Sequence, residues 1–157
     1  AEQRLGLAQH VAPATLEARS VALEAVRQNG LALQFAAAFQ GDKDLVRAAV
    51  AQRGIALQYA AQVLRADREV VLDAVREDGS ALESASEELR NDAAVVLTAV
   101  GEDGHAENSD GRVLSFASRS LRGDRRVVLA AVRTRGFALQ HGALRSDREV
   151  VLAAVRQ

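Results

Sequence analysis

Apolar positions recur along this chain in clusters of one shape. The segments LRADREVVLDAV (64–75), LRNDAAVVLTAV (89–100), LRGDRRVVLAAV (121–132) and LRSDREVVLAAV (144–155) share it, FQGDKDLVRAAV (39–50) follows it loosely, and TLEARSVALEAV (15–26) is a divergent copy with Ala18 in place of the aspartate. In the copy at 64–75, Val70, Val71, Leu72, Ala74 and Val75 form an apolar helical face wide enough for neighbours on more than one side. Asp67 stands where an N-cap belongs, Glu69 lies at the positive end of the helix dipole and Arg76 near its negative end. The same reasoning makes Asp42, Asp67, Asp92, Asp124 and Asp147 the expected N-caps. Gly30, Gly54, Gly79, Gly104 and Gly136 each stand four residues past a closing Val, where a helix C-cap takes up a positive φ.

After each glycine comes a second apolar segment: LALQFAAAF (31–39), IALQYAAQVL (55–64), SALESASEEL (80–89) and FALQHGAL (137–144). Ala81, Leu82, Ala85 and Leu89 have the spacing of one helical stripe, so a second helix is expected in each unit. Closing valines at 26, 50, 75, 100, 132 and 155 are separated by 24, 25, 25, 32 and 23 residues, a unit of about 25. Helices this short are unstable alone in water, and they gain stability by stacking on identical neighbours. The expected fold is therefore all-α: an α-solenoid, taken as a right-handed superhelix, of about six stacked antiparallel helix pairs. One array spans residues 1–157 and opens and stops within a repeat, as a fragment of a longer array would. Pro13 falls in the second helix of the first, degenerate unit, where a proline kinks or shortens a helix.

Composition narrows the core. Among 157 residues there is no Trp, Met or Cys and aromatic content is 3%, so the interior must be built from Ala, Val and Leu. Without cysteine there is no disulfide framework, thiolate metal site or thiol nucleophile. No apolar run approaches the roughly 20 residues that cross a bilayer, and the first residues lack the pattern of a signal peptide, so no direct membrane insertion is expected. A soluble, intracellular protein of cytoplasm or organelle is the expectation.

The recurring pattern L-R-x-D-x-x-V-V-L-x-A-V-x-x-x-G-x-A-L-x-x-A resembles the repeats grouped as domain of unknown function 4116. That family's unit corresponds to about two of the pairs counted above, and the resemblance covers nearly the whole chain. It implies a helical repeat array and brings no catalytic residues with it.

Charge changes the functional picture more than composition does. The net charge is −1, yet residues 73–110 hold eleven acidic and two basic residues, a balance of −9. Residues 112–148 hold nine arginines against Asp124 and Asp147, a balance of +7. A solenoid displays such blocks as adjoining patches, which makes Arg112, Arg119, Arg125, Arg126, Arg133 and Arg135 the candidate partner-binding residues. The expected function is a non-catalytic scaffold that binds a protein partner or forms part of a larger assembly. Nucleic-acid binding through the Arg-rich repeats 112–148 is the alternative.

Catalytic and cofactor chemistry finds no purchase. The inserted loop HAENSDG (105–111) sets Glu102, Asp103, Glu107 and Asp110 close in sequence, but the calcium-loop template places Ala106 in its first ligand position and Ala117 in its last. His10, His105 and His141 form no constellation, and no Ser-His-Asp, HExxH or phosphate-loop spacing occurs. No metal or cofactor is expected, and the chain is not expected to be an enzyme. The ring column Phe35, Tyr59 and Phe116, with His141 in the same place, reads as packing between units. The column Arg65, Arg90, Arg122 and Arg145 reads as structural, through pairing or apolar stems. Arg122-Gly123-Asp124 has the letters of an adhesion tripeptide, but it falls at a helix start, with Gly123 in a variable slot.

Overall fold

A computed structural model describes residues 13–103 and 112–156. The long helices are α1 (Pro13–Gln28), α2 (Lys43–Gln52), α4 (Arg68–Glu77), α6 (Ala93–Asp103), α9 (Arg125–Thr134) and α10 (Arg148–Val155). One-turn helices lie between them: α3 (Gln62–Arg65), α5 (Glu87–Arg90), α7 (Val113–Phe116) and α8 (Arg119–Arg122). No strand occurs among the described residues, and none of their helices is long and apolar enough to cross a membrane.

One pattern of burial repeats through α2, α4, α6 and α9. Leu45, Val46, Ala49 and Val50, then Val70, Val71, Ala74 and Val75, and the same positions at 95–100 and 127–132, are shut off from solvent. Residues at i, i+1, i+4 and i+5 span two adjoining stripes of a helix, so each helix touches the one before and the one after. The contacts follow that order: α1 on α2, α2 on α4, α4 on α6, α6 on α9, α9 on α10. The result is an α-solenoid whose core runs lengthwise through the stack.

In four units the second half departs from the expected α-helix. Gly30–Phe35, Gly54–Tyr59, Gly79–Ser84 and Gly136–His141 are six-residue 3₁₀ segments. Ala81, Leu82, Ala85 and Leu89 are all buried as their spacing demands, but they are divided among a 3₁₀ segment, an extended link at Ala85 (ψ 158°) and α5. That break has a physical use. The extended links free one N–H per unit for the preceding unit, giving Ala61 N to Gln40 O (2.8 Å), Ser86 N to Arg65 O, Ser118 N to Arg90 O and Ala143 N to Arg122 O (each 2.9 Å). A continuous helix would have consumed these donors internally.

The glycines also serve a different purpose from the one expected. The residue that ends each long helix is the one before the glycine, and it is extended: φ is −150° at Arg53, −149° at Asp78 and −142° at Arg135. Gly30 and Gly54 do not adopt a positive φ. They open the 3₁₀ segments instead, where a Cβ on Gly30 would overlap the Ala49 carbonyl oxygen and one on Gly54 that of Ala74, in the next helix. Close approach, not left-handed geometry, selects glycine. Gly79 and Gly136 likewise begin 3₁₀ segments, and Gly104 lies outside the described residues.

From Pro13, the first described residue, α1 runs unbroken to Gln28, so no kink lies within it. With Ala18 where the other copies have a capping aspartate, nothing halts the helix between 13 and 18.

Candidate interaction surface

Each of the five recurrent aspartates closes the start of a long helix. Asp67 accepts from the N–H groups of Glu69 (3.0 Å) and Val70 (3.3 Å), Asp92 from Ala94 and Val95, Asp124 from Arg126 and Val127, Asp147 from Glu149 and Val150, and Asp42 from Leu45. Each has a second carboxylate oxygen left over. In four units that oxygen meets a cation from the first turn of the preceding helix, or its equivalent: Arg19 to Asp42 at 2.5 Å, Lys43 to Asp67 at 2.9 Å, Arg68 to Asp92 at 3.0 Å and Arg125 to Asp147 at 3.4 Å.

This ladder of charge-assisted bonds has side rungs. Lys43 also reaches Glu69 (2.8 Å), and Arg47 bridges Glu69 (2.9 Å) and Asp73 (2.8 Å). Arg125 bonds Glu149 as well. The bond from Arg19 holds Asp42 below the usual aspartate range against the opposing effect of burial, and Lys43 and Arg68 do the same to Asp67 and Asp92. For Asp147 the backbone N–H of Val150 is the leading cause, with Arg125 adding to it.

Among the described residues the ladder is interrupted once. Residue 93, the counterpart of Lys43, Arg68 and Arg125, is alanine, so α6 supplies no cation from this place to Asp124. Asn91 replaces it on the adjoining corner, where its side-chain oxygen accepts from the hydroxyls of Ser118 (2.6 Å) and Ser120 (2.9 Å).

The six arginines selected from the sequence separate into distinct groups. Arg125 is consumed by the ladder. Arg119, Arg126 and Arg133 are exposed and have no acidic partner among the described residues. Arg112 is exposed at the N-cap of α7, and Arg135 is half-buried at the end of α9. Sequence reading missed Arg148 and Arg156, which are exposed on α10 and also lack an acidic partner among the described residues. Aligning Arg156 with Arg133 at the same place in successive units was the signal that would have found it.

The other columns fall out as structure. Arg65 donates through Nε to the Ser84 carbonyl of the next unit (2.6 Å), Arg145 bonds the Gln140 carbonyl, and Arg90 and Arg122 are half-buried between units. Tyr59, Phe116 and His141 are half-buried, whereas Phe35 is 84% exposed, because no described segment stacks on the outer side of residues 30–35. Arg122, Gly123 and Asp124 make the corner from α8 to α9, with Gly123 ending one helix and Asp124 capping the next. His10, His105 and the loop 105–111 lie outside the described residues. Among those described, no cluster of His, Asp and Glu is fit to hold a metal ion.

A family model described as a domain of unknown function, DUF4116, matches residues 19–65, 67–106 and 108–141. The second match begins at the capping Asp67. No curated protein and no solved structure matches the chain.

Proposed function

This chain belongs to the DUF4116 family, and from that premise we propose that it works as a non-catalytic interaction scaffold, a solenoid of about six units of about 25 residues whose outer face binds a protein partner or a neighbouring part of an assembly. The observation that carries the reading is the change in that outer face along the stack. From Arg19 to Asp92 the cations of the long helices are largely spent on acids of the next unit. From Arg119 to Arg133 three exposed guanidiniums, Arg119, Arg126 and Arg133, are not.

Cations already paired within a fold offer a partner little, since binding them means breaking an existing bond. Unpaired guanidiniums with planar donor forks are suited to carboxylates. Affinity capture tests the reading. The full chain and a variant with Arg119, Arg126 and Arg133 each changed to Glu should retain different protein partners from the same extract. Identical retained sets would overturn it.

A further inference from the structure

The outer face of the stack changes character at α6, which packs on α4 along one flank and on α9 along the other. The outward positions of α4 are Glu69, Leu72, Asp73 and Arg76, and those of α9 are Arg126, Leu129, Ala130 and Arg133. On α6 the same positions are Ala94, Leu97, Thr98 and Gly101, with no charge among them. We infer that the seam between α6 and α9 docks an acidic amphipathic helix of a partner protein, with carboxylates on Arg126 and Arg133 and aliphatic side chains on Leu97 and Leu129. The inference rests on the scaffold reading above and gives it a site and a kind of partner.

Charge gives the seam its direction. On the α4 side the acids are already engaged: Glu69 by Lys43 and Arg47, and Asp73 by Arg47 at 2.8 Å and Arg76 at 3.7 Å. On the α9 side Arg126 and Arg133 are exposed and have no acidic partner among the described residues. Ala130 stands beside Arg133 where Asp73 stands beside Arg76, and Glu149 of the following helix is bonded by Arg125. Free carboxylates of a ligand are the complement of that side. Between the charges the surface is apolar. Leu97 and Leu129 are half-buried against the core, and Thr98 donates its hydroxyl to the Ala94 carbonyl at 2.9 Å. A Cβ on Gly101 would meet nothing within 4 Å, so there is open space over that end of α6.

Spacing selects a helix as the occupant. Arg126 and Arg133 are seven residues apart, two turns or about 10 Å along α9, and Leu129 lies between them on the same face. A partner helix laid along the seam has the same period, so acids at i and i+7 reach both arginines while leucines at i+3 and i+4 meet Leu97 and Leu129. An extended peptide covers about 10 Å in three residues, and residues three apart point to opposite faces of a strand. Only one of its carboxylates would then reach an arginine. Single-stranded nucleic acid fits worse, because α4, α6 and α9 carry no aromatic ring for a base to stack on.

The test uses the full chain, isotope-labelled, titrated with two synthetic peptides of one composition, each held helical by a hydrocarbon staple. The first has glutamates at i and i+7 and leucines at i+3 and i+4; the second has one glutamate moved to the opposite face. The first should shift amides at 94–101 and 126–133 and bind at least about tenfold more tightly than the second. Arg126→Gln combined with Arg133→Gln should remove that advantage. Ala130→Asp, which gives Arg133 the acidic neighbour that Arg76 has and leaves both arginines in place, should weaken the first peptide by about the same factor, with thermal unfolding showing that each variant folds. Shifts that fall elsewhere, equal affinity of the two peptides, or unchanged binding by both variants would overturn the seam assignment. So would tighter binding of a single-stranded RNA at the same residues. If the peptides fail while partner capture still depends on Arg119, Arg126 and Arg133, the scaffold reading stands and only this site is lost.

Discussion

Arg68 donates through Nε to Asp92 Oδ2 at 3.0 Å, and Asp92 is itself the cap of the helix that packs on the one carrying Arg68. One carboxylate thus starts a helix and ties it to its predecessor. The depressed proton affinity of Asp92 makes this tie dependent on pH. A folded-state pKa below the unfolded value means that the unfolded chain binds more protons in that window. The contribution is complete above the usual aspartate value of about 4 and disappears as pH falls through the lower folded value. Arg68→Gln should therefore lower the melting temperature at pH 7 and leave it nearly unchanged at a pH well below the window. Salt should shrink the neutral-pH difference, since the pair is partly exposed.

The missing rung at Ala93 predicts the opposite effect from a single substitution. Ala93 is exposed and occupies the place from which Lys43, Arg68 and Arg125 each reach the next aspartate. Ala93→Arg should join Asp124 and stabilise the protein by about 0.5 kcal/mol, the usual worth of a surface pair. Urea unfolding of the single variant, and of the same variant with Asp124→Asn, measures the gain and its source. The gain should vanish in the double variant.

Two glycines should respond in opposite directions to alanine. At Gly54 a Cβ would overlap the Ala74 carbonyl oxygen and crowd the Asp78 backbone nitrogen, so the 3₁₀ segment must move off α4. Gly54→Ala should cost about 1 to 3 kcal/mol, the range for overpacking a close contact. At Gly101, near the end of α6, a Cβ would meet nothing within 4 Å. There Gly→Ala should stabilise by about 0.5–1 kcal/mol through helix propensity and a less flexible unfolded chain. Thermal unfolding of the two variants checks both signs.

The glycine result also shows where sequence reasoning stopped. The Gly at each unit boundary was legible as punctuation, but a neighbouring carbonyl from the next unit, not a local turn, is what excludes a side chain at Gly30 and Gly54. Long-range approach leaves no local signature. Periodicity located the buried residues 81, 82, 85 and 89 correctly and still mistook their backbone, because a 3₁₀ segment plus a one-turn helix can bury the same positions as one α-helix. The capping aspartates were readable from local chemistry alone, as their hydrogen bonds reach only two or three residues ahead. The ladder was not, since its partners stand 22 to 24 residues apart and emerge only when units are laid on one another. For the same reason Arg125 was grouped with the available arginines, although Asp147 and Glu149 engage it.

Asp67 and Asp124 offer a way to separate the two uses of a capping carboxylate. Both accept from two N–H groups at the start of a helix, with matching distances of 3.0 and 3.3 Å against 2.9 and 3.2 Å. Only Asp67 also receives a cation, from Lys43 at 2.9 Å, because Ala93 supplies none to Asp124. Replacing Asp124 by Ala should therefore cost the capping bond alone, about 1 kcal/mol. Asp67→Ala loses the cap and the tie to α2, and it leaves Lys43 with only Glu69 among its acids. Its cost should exceed that of Asp124→Ala by a few tenths of a kcal/mol, up to about 1. In a Lys43→Ala background the excess should disappear while the shared capping cost remains. Equal costs for the two aspartates in the parent protein would mean that the ladder adds nothing to stability and that stacking rests on the apolar core and the backbone bonds between units.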